Sequence, residues 1–195
     1  MKRHYLFGLG TGRCGSTSLA ALLDSQPGAE ITHGQKPYLP WILDREAVKL
    51  KVARLKTRHT ETVGEVALFY LQSIETLLEL LPEAKFIVLR RDKEKTISSF
   101  ARNWKYNKLN LRQHERDYIF PRYPSLSLLE ALDKYYDDYY CATATLERKY
   151  PLSIRHFETE ALNSKEGIAA ILDFARIKKR GRKYKTGIRK NASKK

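Results

Sequence analysis

The sequence predicts an α/β fold: a single domain with a parallel central sheet and helices on both faces of that sheet. Segments with the pattern of strands alternate with segments with the pattern of helices, and no hairpin signal joins neighbouring strands. The clearest strand, Lys85-Phe86-Ile87-Val88-Leu89, is almost continuously apolar, which is typical of a strand buried on both faces of a parallel sheet. A chain of 195 residues is long enough for one such domain and too short for two of ordinary size.

The first part of the chain alternates three strands with three helices. A short apolar run ends in a glycine cluster and is followed by leucines at helical spacing, which predicts a strand, a loop and a helix. The turn Gln26-Pro27-Gly28 separates this helix from the next strand, and Pro82 ends the third helix. The predicted strands are 5–9, 29–32 and 63–66, and the predicted helices are 18–23, 44–56 and 69–81.

The second part begins with the buried strand and continues with three helices and one more strand. A polar, aromatic and basic stretch over 105–124 has no clear period, so it is either a lid or a loop with its own short helix. The remaining predicted elements are helix 93–104, helix 126–150, strand 152–157 and helix 160–174.

The charge of the chain is concentrated at its C-terminal end. The chain has 37 Lys and Arg against 22 Asp and Glu, a formal charge of +15, which by itself suggests a polyanionic partner. Residues 176–195 include 11 basic residues and no acidic one, so the rest of the chain is only weakly basic. We therefore predict an α/β domain over 1–175 and a basic tail over 176–195, which could bind polyanions weakly through counterion release.

The composition excludes several other classes of protein. A hydrophobic content of 42% with 11% aromatic residues excludes a disordered or collagenous chain. Two cysteines, Cys14 and Cys141, cannot form a disulfide framework, and no pair of residues has zinc-ligand spacing. No apolar run approaches the roughly 20 residues of a membrane-spanning helix, and the N-terminus lacks the pattern of a signal peptide. We expect a cytoplasmic protein without a metal or a membrane span.

A glycine-rich loop after the first strand has the spacing of a phosphate-binding loop. Gly10 to Thr17 matches the pattern G-x-x-x-x-G-K-[ST], in which backbone N–H groups and a helix N-terminus hold phosphate oxygens. Ser16 stands where the lysine should be, which argues against hydrolysis of ATP, and Arg13 could supply the missing charge. The alternative is a strand-to-helix turn that binds nothing. Four small residues would let the backbone approach an oxyanion: Gly15, Ser16, Thr17 and Ser18.

A second anion motif follows the buried strand. Arg91 lies at the carboxyl end of that strand, and Ser99 follows it by eight residues on the next helix. A guanidinium and a hydroxyl at this spacing can converge on one phosphate, and open α/β sheets bind ligands at the edge where both lie. Taken alone, Arg-Arg-Asp after a strand is more often a solvated strand end.

Together the two motifs resemble those of the sulfotransferase family, whose sulfuryl donor is 3′-phosphoadenosine 5′-phosphosulfate. Residues 11–19 resemble that family's loop for the 5′-phosphosulfate, and residues 86–92 with Ser99 resemble its motif for the 3′-phosphate. The segment Phe157-Glu158-Thr159-Glu160-Ala161-Leu162 is similar to the family's Tyr-Glu-Asp-Leu segment. Lys179-Arg180-Gly181 resembles a basic segment that closes over the 3′-phosphate in cytosolic members. The resemblance implies a P-loop-NTPase-like three-layer sandwich.

The resemblance also implies a role for each matching residue. Arg13 would bind the bridging oxygen of the donor and assist catalysis, and Arg91 with Ser99 would bind its 3′-phosphate. The product would be 3′,5′-adenosine bisphosphate, and no metal would be needed, because an arginine and oriented N–H groups could stabilise the leaving phosphate. The residues that would surround the 5′-phosphosulfate are Cys14, Gly15, Ser16, Thr17 and Ser18.

The sequence indicates the residues that would act on the acceptor less clearly. The family has a Glu or His after the second strand as acceptor base, and His33 is the residue of this segment that can act as a base near neutral pH. The alternative is a loop histidine that only forms a hydrogen bond. Glu65 could be the base instead or orient the acceptor, although a surface carboxylate is the simpler interpretation. The acceptor, a small molecule or saccharide with a hydroxyl or an amine, is not specified. The stretch 105–123 could form a lid over it, and a second subunit could complete its capture.

Two further features admit more than one interpretation. A stripe of tyrosines at helical spacing, which predicts a core or dimer contact, consists of Tyr135, Tyr136, Tyr139 and Tyr140. The alternative to a sulfotransferase is a non-catalytic module that binds a polyanion, such as nucleic acid or a heparin-like chain, through its basic tail.

Overall fold

The computed structural model describes residues 3–105 and 113–184. Five parallel strands form one sheet in the order β2-β3-β1-β4-β5. The strands are β1 (His4–Leu9), β2 (Ala29–His33), β3 (Thr62–Val66), β4 (Lys85–Arg90) and β5 (Ile154–Glu158). All five were predicted from the sequence to within one or two residues at each end, and the parallel sheet is confirmed.

Seven helices of the described ranges flank the sheet. They are α1 (Ser16–Asp24), α2 (Arg45–Lys56), α3 (Ile74–Leu80), α4 (Lys93–Lys105), α5 (Gln113–Ile119), α6 (Leu128–Lys149) and α7 (Lys165–Phe174). Among the described residues, none of these helices combines the length and the apolarity that crossing a membrane requires.

Both faces of the sheet are buried because alternate side chains of each central strand point to opposite sides. In β1, Phe7 and Leu9 enter a core shared with α2, α3, α4 and α6, whereas Leu6 enters a second core shared with α1 and α7. In β4, Phe86 likewise enters the first of these cores and Ile87 the second. The molecule is therefore the helix, sheet and helix sandwich that the alternating pattern predicted.

Local hydrogen bonds explain where several helices begin. The Asp44 side chain accepts from the backbone N–H groups of residues 46 and 47 at 3.0 Å, which caps α2. Ser127 and Glu130 exchange side-chain and backbone hydrogen bonds and form a capping box at the start of α6. Ser164 Oγ accepts from Gly167 N at 3.0 Å and begins α7.

The structure departs from the predicted helices at two places. The predicted helix 69–81 begins as a 3-10 helix (Leu68–Ser73) and becomes α3 only at residue 74. The predicted helix 160–174 is divided into a 3-10 turn (Thr159–Asn163) and α7, because Ser164 has an extended backbone between them. Helical spacing of apolar residues does not distinguish these two kinds of helix at such lengths.

The first described residues of the predicted tail pack against the domain. Ile177 is 6% exposed and belongs to the core beneath α7. Arg182 Nη1 lies 2.6 Å from Asp173 Oδ1, and Gln26 Nε2 donates to Lys183 O at 3.0 Å. The domain boundary at residue 175 stays a prediction, and residues 185–195 lie outside the described ranges.

Candidate active site

The glycine loop after β1 makes a tight turn that leads directly into α1. The φ angles of Gly12, Arg13 and Gly15 are 88°, 58° and 93°, so three of its residues have left-handed backbone conformations. Gly15 is the N-cap of α1, and its carbonyl accepts from Ser18 N at 2.9 Å. Ser16 and Thr17 lie in the first helical turn. The loop and the positive end of α1 thus have the conformation that an anion site requires.

The two predicted anion motifs meet at Arg13. Arg13 Nε donates to Ser99 Oγ at 3.0 Å, so the loop after β1 contacts α4 directly. Arg91 Nη1 donates to the backbone O of Arg13 at 2.9 Å. The contact follows from the topology, because β1 and β4 are neighbours and both end at the same edge of the sheet. Residues 78 positions apart therefore form one polar cluster.

The cluster carries excess positive charge. Partial burial and the nearby charges of Arg91 and Arg102 lower the pKa of Arg13. No ion pair within 3–105 and 113–184 joins any of these three arginines to a carboxylate. Arginines held together without acidic partners favour the binding of a multiply charged anion. Arg102 was missed by the sequence analysis, although its position three residues after Ser99 places both on one side of α4.

Cys14 and Thr159 support the loop from beneath. Cys14 is completely buried, and burial raises the pKa of its thiol, which favours the protonated form. Its side chain fills space, and an added Cβ on Gly10 would lie only 2.4 Å from Cys14 Sγ. Thr159 Oγ1 lies 2.7 Å from Cys14 O and 2.9 Å from Arg90 O. The segment after β5 thereby connects both anion motifs.

His33 lies at the end of β2 and faces the glycine loop. Its Nε2 is 3.0 Å from Ser16 Oγ. Surrounding protein atoms lower the pKa of His33, while the charge of Glu65 partly opposes that shift. A lowered pKa leaves the imidazole neutral at pH 7, which is the form that accepts a proton.

Glu65 is buried, so its interpretation as a surface carboxylate is wrong. It is 1% exposed, and Lys51 Nζ lies 2.8 Å from its Oε2. Tyr70 OH donates to Glu65 Oε2 at 2.7 Å, and Gln35 N donates to Oε1 at 2.6 Å. Lys51 Nζ also donates to Gln35 O at 2.8 Å. This buried cluster holds the chain that follows His33, and spacing along the sequence gives no sign of it.

The basic segment Lys179-Arg180-Gly181 lies at the opposite edge of the sheet. Its neighbour Lys178 contacts Glu61, which precedes β3, and an added Cβ on Gly181 would lie 3.3 Å from Pro27, which precedes β2. The anion motifs follow their strands, and a strand of five residues spans about 17 Å. The expected closure of this segment over a 3′-phosphate is therefore wrong for this chain.

The predicted lid is described only in part, because residues 106–112 lie outside the described ranges. Of the rest, α5 contacts the segment after β2 through a hydrogen bond from Trp41 N to Tyr118 O at 2.7 Å. Phe120 packs edge-on against Phe100 at 6.0 Å between ring centroids. An added Cβ on Gly12 would lie 2.9 Å from the Phe100 ring. Phe100 therefore contacts both Phe120 and the glycine loop.

Comparison with known proteins identifies the family. The model of a sulfotransferase family matches residues 37–179, which is most of the chain. The chain belongs to the sulfotransferase family. The matched range includes Arg91, Ser99 and Thr159, whereas the glycine loop and His33 precede it.

Solved sulfotransferases share the fold. A sulfotransferase from Alicyclobacillus acidocaldarius is 17% identical with a TM-score of 0.56, and the match covers 91% of this chain and 83% of the other. Mouse sulfotransferase SULT7A1, solved complexed with PAP, is 16% identical with a TM-score of 0.57, covering 91% of this chain. This chain spans 61% of the mouse protein. No curated protein sequence matches significantly. The P-loop-NTPase-like fold expected for a sulfotransferase is thereby confirmed.

Proposed function

We propose that this sulfotransferase moves a sulfuryl group from 3′-phosphoadenosine 5′-phosphosulfate to a hydroxyl or amine of an acceptor. The observation that carries the proposal is the contact of Arg13 with both Ser99 and Arg91. A donor with a phosphosulfate at one end and a phosphate at the other needs two anion subsites close together. The mouse relative complexed with PAP supports the same class of ligand.

In this proposal the two ends of the donor bind to different elements. The N–H groups of residues 14–17 and the hydroxyls of Ser16, Thr17 and Ser18 bind the 5′-phosphosulfate at the positive end of α1. Arg91 and Ser99 bind the 3′-phosphate, and Arg13 lies between them and the bridging oxygen. Arg102 adds a further positive charge near Arg13. No cluster of three or more potential metal ligands occurs in the described part of the chain, and the proposed step uses none.

The chemical step is an in-line transfer. His33 takes the proton of the acceptor hydroxyl or amine as that atom attacks sulfur. A bond from the acceptor atom to sulfur forms while the bond from sulfur to the bridging oxygen breaks, and the electron pair leaves with 3′,5′-adenosine bisphosphate. Arg13 and the N–H groups stabilise the negative charge that develops on the leaving phosphate. An acceptor hydroxyl would replace Ser16 Oγ as the partner of His33 Nε2.

We assign proton transfer to His33 and a positioning role to Glu65. The oxygens of Glu65 already accept from Lys51, Tyr70 and Gln35, and the carboxylate is inaccessible to an acceptor. Its contact with Gln35 supports the view that it orients the segment carrying His33. A cytoplasmic location and an acceptor of the small-molecule or saccharide type remain part of the proposal.

Binding of the donor product tests the proposal directly. At 100 times its Kd, 3′,5′-adenosine bisphosphate should stabilise the wild-type chain by about 2.7 kcal/mol and raise its Tm by about 5–10 °C, because it binds only the folded state. Adenosine, which lacks both phosphates, is the matched control and should leave the Tm unchanged. An unchanged Tm with the bisphosphate at millimolar concentration would contradict donor binding.

A second candidate function is binding of a polyanion by the basic tail. The 11 basic residues among 176–195 favour it, and their described part lies at the sheet edge opposite the anion motifs. Deletion of residues 185–195 should lower the salt concentration at which the chain elutes from a heparin column. The shortened chain has fewer cations to contact the polyanion, so its binding releases fewer counterions. The Tm shift with the bisphosphate should persist. Loss of that shift on deletion would contradict two separate sites.

A further inference from the structure

One face of α6 touches both anion motifs. This tyrosine face consists of Tyr135, Tyr136, Tyr139 and Tyr140, which are all between 0% and 6% exposed. Positions separated by four residues lie one above the other on a helix, so the four side chains form two adjacent rows. The rings pack in the core beside α4 and the sheet, where phenylalanine rings of the same shape would pack equally well. Packing alone therefore does not explain why these positions are tyrosines, whereas the contacts of the hydroxyl groups do.

Two of the hydroxyls hold the loop after β1 and its surroundings. Tyr135 OH donates to Thr11 O at 3.0 Å. Tyr139 OH accepts from Gly10 N at 3.2 Å and donates to Leu68 O at 3.0 Å. Burial raises the pKa of both phenols, so they remain protonated donors at any physiological pH.

The other two hydroxyls hold the end of β4. Tyr136 OH donates to Arg91 O at 2.6 Å, and Tyr140 OH donates to Leu89 O at 2.7 Å. Arg91 is the residue whose side chain reaches back to the glycine loop. One helix therefore binds the backbone of both motifs.

We propose that the tyrosine face of α6 positions the two anion subsites relative to each other and so determines selectivity for a nucleotide with a 3′-phosphate. The inference rests on the proposed donor. Tyr136 and Tyr140 position the 3′-phosphate subsite through the backbone of residues 89–91. Tyr135 and Tyr139 position the 5′ subsite through the backbone of residues 10 and 11. None of the four touches the nucleotide.

The test compares two nucleotides that differ by one group. Adenosine 5′-monophosphate lacks the 3′-phosphate of 3′,5′-adenosine bisphosphate, so the ratio of their Kd values measures 3′-phosphate recognition. In Tyr136→Phe and in Tyr140→Phe, calorimetric titration should show about tenfold weaker bisphosphate binding and less than twofold weaker monophosphate binding. In Tyr135→Phe, both nucleotides should bind more weakly by a similar factor, so their ratio stays that of the wild type.

Tyr150→Phe is the matched control. Tyr150 caps the same helix, but its hydroxyl contacts Glu75 at 2.9 Å, away from both motifs, so neither Kd should change. A lower Tm in Tyr136→Phe and Tyr140→Phe with an unchanged Kd ratio would overturn the inference, because the hydroxyls would then only stabilise the fold. If one of these two variants does not fold, the other decides. Wild-type protein that binds neither nucleotide would instead overturn the proposed function, and the inference with it.

Discussion

Arg13→Ala should lower kcat/KM by about a thousandfold, because one side chain connects the two anion subsites and stabilises the leaving phosphate. Its guanidinium donates to Ser99, and its backbone carbonyl accepts from Arg91. The substitution removes the side-chain contact and the positive charge but leaves the backbone contact. Steady-state kinetics with 3′-phosphoadenosine 5′-phosphosulfate and any acceptor found to be sulfated would measure the loss.

The Arg13→Ala result needs a control for general loss of charge. Arg45→Ala removes an arginine from the surface, where it pairs with Glu79, and should leave kcat/KM unchanged. Arg13→Lys keeps the charge and loses the planar fork, so its activity should lie between those of the wild type and Arg13→Ala. Wild-type kinetics in Arg13→Ala would show that the proposed bridging contact has no part in the reaction.

His33→Ala should lower kcat by about a thousandfold while the Kd for 3′,5′-adenosine bisphosphate stays close to that of the wild type. The imidazole faces the glycine loop through Ser16 but is proposed to act on the acceptor proton. Single-turnover kinetics would measure the rate of transfer, and the Tm shift with the bisphosphate would measure donor binding. Equal losses of binding and turnover would mean that His33 belongs to the donor subsite.

The pH dependence provides a second test of His33. A general base acts in its neutral form, so activity should fall as the pH drops through the pKa of the imidazole. Because the protein lowers that pKa, the fall should occur below about pH 6.5, the ordinary value for histidine. This acidic limb should disappear in His33→Ala and persist in His59→Ala, since His59 is an exposed residue before β3. An acidic limb that survives in His33→Ala would assign the base to another residue.

The strands and the location of the site could be predicted because they depend on short-range patterns. A continuous apolar run such as 85–89 specifies a strand buried on both faces, and parallel strands bring their carboxyl ends to one edge. Loops after two such strands were therefore expected to lie together, and Arg13, Arg91 and Ser99 do. Cap residues such as Ser164 were present in the sequence, but their effect on the 3-10 segment before them was not predicted.

Features that depend on contacts between distant segments could not be predicted. Glu65 was interpreted as a surface residue because a carboxylate after a strand is usually exposed, yet in the fold it is buried and paired with Lys51 from α2. Lys179-Arg180-Gly181 has the composition of a phosphate-binding segment, but the chain after α7 turns to the amino edge of the sheet. The tyrosine stripe predicted a buried face and not the carbonyl groups that its hydroxyls contact.

The amino-acid sequence by itself determined the parallel α/β sandwich, the glycine loop at the start of α1 and the two arginine motifs, because periodicity and backbone requirements act over a few residues. Only the tertiary structure decided that Arg13 joins those motifs, that Arg102 adds to their charge, and that α6 holds both of them. Each of these contacts links residues far apart in the chain. Their geometry depends on how whole helices pack on the sheet, which no local pattern encodes.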